Sequence, residues 1–132
     1  MRHSIDAARD AIASEGSFTE RLGSAIDAAV FSSLCRFTES PHGGELLDMK
    51  ASLAGDLIEN WCRELSDLFA DAIRAEAAAN GIDLEAAGLC PQGMANMLMD
   101  GLEGMKTRLT DIEAQKKAAC GLVRVIALAL RA

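Results

Sequence analysis

Tyrosine is absent from this chain, aromatics make up only 4% of it, and β-branched residues never alternate over more than a few positions. These shortages argue against a sheet, whose strands draw on those residue types with a period of two. Only two prolines interrupt the chain. No apolar run approaches the length of a membrane span, since Leu122 to Leu130 contains Arg124 and is far too short. The N-terminus passes from Met1-Arg2-His3 straight to Asp6, Arg9 and Asp10, without the apolar core of a secretory signal. A cytoplasmic location with no membrane partner is therefore expected. Positive charge is also scarce: the formal net charge is −7, which disfavours a nucleic-acid surface.

Metal and thiol chemistry lack material as well. The only histidines are His3 and His42, and Cys35, Cys62, Cys90 and Cys120 stand alone. Glu39-Ser40-Pro41-His42 imitates the Glu-x-x-His of di-iron bundles, but Pro41 breaks the helix that motif needs and no second copy exists. Glu64, Asp67 and Asp71 share a helix face without apolar surroundings to raise a pKa, so they are expected to be solvated. No phosphate loop or nucleophile elbow occurs. The expectation is a protein that is not an enzyme and uses no metal or cofactor.

What is present is helix. Half of the 132 residues are apolar, enough for one domain with a core, and an all-α bundle of about six helices is expected. The longest pattern runs from Gly55 to Asn80, with Leu57, Ile58, Trp61, Leu65, Leu68, Phe69, Ala72 and Ile73 on one face. Asn80-Gly81 ends it, because both residues tolerate the left-handed conformation. Burying each large residue of that face contributes about 1.5 to 3 kcal/mol, so this helix is expected to be the wall on which the others pack.

Around it, Ser4 to Ser14 forms a short amphipathic piece. Ser17-Phe18-Thr19-Glu20 is a capping box opening a helix through Phe37, whose wide apolar stripe includes Phe31, Leu34 and Cys35. Ser40-Pro41 starts a short helix with Leu46, Leu47, Met49 and Leu53. Cys90-Pro91 opens a Met-rich helix to about Lys106, interrupted by Gly93, Gly101 and Gly104. Each interior glycine costs roughly 1 kcal/mol against alanine, so close helix approach is expected in return. Thr110-Asp111-Ile112-Glu113 is read as a second capping box.

The helix after it is apolar nearly all round, with Leu122, Ile126 and Leu130 on one face and Val123 and Ala127 beside them. A lone copy is expected to leave that face in water, and a homodimer to bury it. Ile126→Glu should then separate the dimer.

Phe31, Leu34, Cys35, Trp61, Cys62, Leu65, Met94, Met97 and Leu98 place aromatics and soft sulfurs on three helices expected to converge. They are candidate ligand contacts, since such surfaces adapt to varied apolar ligands.

The stretch Ser40-Pro41-His42-Gly43-Gly44-Glu45-Leu46-Leu47-Asp48, the helix ending Ala79-Asn80-Gly81-Ile82-Asp83, and Met97-Leu98-Met99-Asp100-Gly101-Leu102 carry a resemblance. In order and spacing they resemble the C-terminal regulatory domain of TetR-family transcriptional repressors. The resemblance implies a single regulatory domain over residues 1–132 that binds a small apolar or amphipathic effector. It also implies that the last two helices form a dimer's four-helix bundle, through Gly101, Leu102, Met105, Ala119, Leu122, Val123, Ile126, Ala127 and Leu130. The family's helix-turn-helix head has no counterpart here, so residues 1–16 read as a remnant of the connecting helix. DNA would be bound only through that missing head, and this chain alone should not retain duplex DNA. The alternative is a ligand-free helical adaptor that dimerises to present a surface.

Overall fold

In the computed structural model, residues 2–31 and 55–131 are described, and all of their regular structure is helical. The helices are α1 (Arg2–Ala13), α2 (Phe18–Ile26), α3 (Gly55–Ala79), α4 (Pro91–Arg108) and α5 (Ile112–Ala129). A π-helical turn, Asp27–Phe31, continues α2, and a 3-10 turn, Glu85–Ala87, precedes α4. The helix expected from Ser40, together with Leu34, Cys35 and His42, lies outside the described residues.

The helix boundaries follow local chemistry. Ser17 caps α2, its hydroxyl accepting from the Glu20 amide at 3.2 Å. Cys90 caps α4 through its sulfur, which accepts from the Gly93 amide at 3.2 Å, and Pro91 stands at the first turn. At the end of α3, Gly81 adopts φ +69. The Ile82 amide reaches back to the Ala77 carbonyl and the Gly81 amide to that of Ala78, the paired bonds of a Schellman motif. The cap of α5 differs from expectation by one residue. Asp111, not Thr110, accepts from the Ala114 amide, and a carboxylate also suits the positive end of the helix dipole.

Packing runs in a closed circuit. α3 lies against α4, α4 against α5, α5 against α2 and the π-helical turn, α2 against α1, and α1 back against α3. The long helix is thus a wall chiefly for α4 and α1. α1 is more than a fringe: Ile5 and Ala8 are buried in one core with Leu22, Ile26, Phe69, Ile73, Leu98 and Val123. Two polar ties fasten the circuit. Trp61 Nε1 donates to Ser4 Oγ at 2.8 Å, joining α3 to α1. Asn80 Nδ2 donates to the Leu130 carbonyl at 2.6 Å, so the residue that ends α3 also caps the end of α5.

The π-helical turn departs from the uninterrupted helix that periodicity implied. It buries Ala29, Val30 and Phe31 consecutively, which a straight amphipathic α-helix with one inward stripe does not do. Val30 faces one cleft of the molecule and Phe31 another.

Candidate functional site

The larger cleft, about 620 Å³, opens where α3 meets α4. Trp61, Cys62 and Ser66 descend one side at helical spacing. Gln92, Asn96, Met99, Glu103 and Lys106 follow the other, and their alternating separations of four and three residues put them on one face of α4. Val30 and Leu102 contribute apolar surface.

Polar groups at the upper end of the cleft bind one another. The Ser66 hydroxyl donates to Asn96 Oδ1 at 2.9 Å and accepts from Gln92 Nε2 at 3.0 Å, while Gln92 Nε2 also lies 3.2 Å from Asn96 Oδ1. Ser66 is only 6% exposed, so this network satisfies a hydroxyl inside the α3–α4 interface. At the other end sit a thiol, an amine and a carboxyl group. Burial pushes the Cys62 thiol above its ordinary value, helped by the neighbouring Glu103 charge and opposed by Lys106. Burial also holds the Lys106 ammonium below its ordinary value, although Cys62 and Glu103 pull it back up. The Trp61 indole N–H is committed to Ser4, which leaves the ring face rather than a hydrogen-bond donor for an occupant.

A second groove, about 530 Å³, lies between α2 with its π-helical turn and α5. Ile26, Phe31, Ala119 and Val123 form its apolar floor. Lys116 Nζ spans it to Asp27 Oδ1 at 3.6 Å, so its charges are already partly paired.

The residues expected to hold a ligand therefore separate. Trp61 and Cys62 line the larger cleft, and Phe31 lines the second groove. Leu65, Met94 and Leu98 are closed within the core and line neither, while Met97 is 62% exposed. Leu34 and Cys35 fall outside the described residues. Ser66, Gln92, Asn96, Glu103 and Lys106 also line the cleft, and apolar periodicity does not single them out, because a polar stripe on a helix ordinarily marks solvent. Its signal was nevertheless present in the four-three spacing along α4.

The residues expected at a dimer interface also fall into two groups. Leu102, Met105, Ala119, Val123, Ile126 and Leu130 are buried within the single chain, whereas Gly101, Leu122 and Ala127 are partly covered. The face of α5 expected to need a partner thus already has one, in α2, α4 and the π-helical turn. Val125 and Leu128, at 65% and 64% exposure, are the large apolar residues that α5 leaves outside. Among the described residues no cluster of three metal-ligating side chains occurs, and no helix is long and apolar enough to cross a membrane.

Comparison with known proteins finds no matching family model, no matching curated protein and no matching solved structure.

Proposed function

We propose that this chain is the effector-binding and homodimerisation domain of a TetR-like transcriptional repressor, acting on DNA only through a separate head. The observation that carries the reading is the cleft of about 620 Å³ beside Trp61, a size suited to a small molecule. Trp61, Met99 and Leu102 offer apolar contact, while Ser66, Asn96 and Lys106 offer orientation, so the effector is amphipathic.

Dimerisation is proposed through α4 and α5, on a different face from the one periodicity favoured. These helices are joined by Leu109 to Asp111 and touch at Gly101 and Leu122, which puts Met97 level with Val125 in an antiparallel hairpin. Met97, Val125 and Leu128, each more than 60% exposed, are the large apolar residues these two helices leave outside, and the proposed interface is built on them, with open space at Gly104 and Gly121 for a second copy.

Titrating the chain with a panel of amphipathic alcohols, acids and amines while following Trp61 fluorescence tests the effector reading. A saturable response at micromolar ligand is expected. Silence across the panel, with a dimer by light scattering, favours the ligand-free adaptor instead.

A further inference from the structure

Lys106 differs from the other described lysines in its setting. It is half-buried on the wall of the Trp61 cleft, while Lys116 pairs with Asp27 and Lys117 is exposed. Among the described residues Lys106 forms no ion pair. The titratable groups that line the cleft with it are Cys62 and Arg63 from α3, and Asp100 and Glu103 from its own helix, of which Cys62 and Glu103 act on it electrostatically. Two carboxyl groups therefore share the cleft with two cations, which gives no net attraction for an anionic ligand. A neutral group suits such a site better.

We propose that Lys106 captures a carbonyl compound: its Nζ condenses with the aldehyde of an amphipathic ligand whose hydrocarbon part lies along Trp61, Met99 and Leu102. This rests on the reading of the cleft as the effector site. The amine lone pair forms a C–N bond to the carbonyl carbon, and the carbonyl π pair moves to oxygen, which takes up a proton. Nitrogen loses one proton to leave a neutral carbinolamine, and the hydroxyl takes up a second proton. The nitrogen lone pair then expels it as water with breaking of the C–O bond, and the resulting iminium gives up its last N–H proton, so amine and aldehyde become imine and water. No oxidant or reductant is consumed. Asp100 and Glu103 line the same cleft and can relay protons to and from solvent. Desolvation of the ammonium raises the fraction of neutral amine near pH 7, the form that attacks.

The test treats the whole chain with octanal and cyanoborohydride at neutral pH, then maps the alkylated lysines by mass spectrometry. Octanol, which has no carbonyl, is titrated in parallel against Trp61 fluorescence. Lys106 is expected to be labelled severalfold faster than Lys116 and Lys117, because the cleft holds the octanal chain beside its Nζ and burial favours its neutral amine. Lys106→Arg should lose that label, since a guanidinium forms no imine under these conditions. Equal labelling of the three lysines overturns the inference, and a surviving octanol response then leaves the effector reading standing. Equal labelling without any octanol response removes both.

Discussion

A β-carbon placed on Gly101 would lie 2.6 Å from Leu122 Cδ2, so Leu122 of α5 packs against α4 where α4 has no side chain. The same test at Gly104 meets nothing within 4 Å. Both glycines weaken the helix by about 1 kcal/mol relative to alanine, yet within the chain only Gly101 receives packing in return. Gly104→Ala should therefore stabilise the fold by about 0.5 to 1 kcal/mol. Gly101→Ala should gain less, because Leu122 must turn aside, and a bulkier Gly101→Val should destabilise by about 1 to 3 kcal/mol. Urea midpoints give the order, and a Gly101→Ala variant as stable as Gly104→Ala would contradict the contact.

The hydrogen bond from Trp61 to Ser4 joins residues 57 positions apart in the chain. Ser4→Ala leaves the indole N–H without this acceptor and should cost about 1 kcal/mol. Trp61 emission should shift as the ring loses its fixed partner. Unchanged emission together with unchanged stability would mean that the bond does not hold α1 against α3.

Association is tested at α5 by comparing neighbours in sequence that point in opposite directions. Val125 and Leu128 are exposed, whereas Ile126 is only 6% exposed in the single chain. Val125→Glu or Leu128→Glu should leave the urea midpoint of a dilute sample nearly unchanged and convert a dimer to monomer in light scattering. Ile126→Glu buries a charge inside the chain's own core and should unfold the protein, at several kcal/mol. It therefore tests folding rather than the interface. A monomer for the parent chain at micromolar concentration would remove the dimer proposal.

Lys106 and Cys62 make stability depend on alkaline pH with opposite signs. For Lys106 the folded pKa is lowered from 10.5, so the unfolded chain holds more protons across the window between the two values. The burial penalty is fully present below the lowered pKa and is relieved as pH rises to 10.5. Lys106→Met should accordingly be more stable than the parent at neutral pH, with the difference shrinking as pH rises toward 10.5. For Cys62 the folded pKa is raised from 9.0, so its contribution is intact below 9.0 and fades above it. Urea melts of the parent, Lys106→Met and Cys62→Ala across that range separate the two. A Lys106→Met variant less stable than the parent at neutral pH would show that the ammonium is not desolvated.

The all-α class, the extent of α3 and three of its boundary signals were legible in the sequence because each depends on residues within a turn of one another. Ser17 beside Glu20, Cys90 before Pro91, and Asn80-Gly81 make their hydrogen bonds over three to five positions, and no distant contact is needed to place them. Thr110 and Asp111 show the limit of such reading: both can cap, and only the observed path of the chain decides between them. The inward direction of α5 was decided by tertiary structure. A helix apolar nearly all round carries little directional signal, so only α2, α4 and the π-helical turn determine that Val123, Ile126 and Leu130 are inside while Val125 and Leu128 are out. The polar wall of the Trp61 cleft is likewise tertiary. Gln92, Asn96, Glu103 and Lys106 form an ordinary wet stripe on an isolated helix, and become a site because α3 brings Trp61, Cys62 and Ser66 against them and withdraws water from one amine.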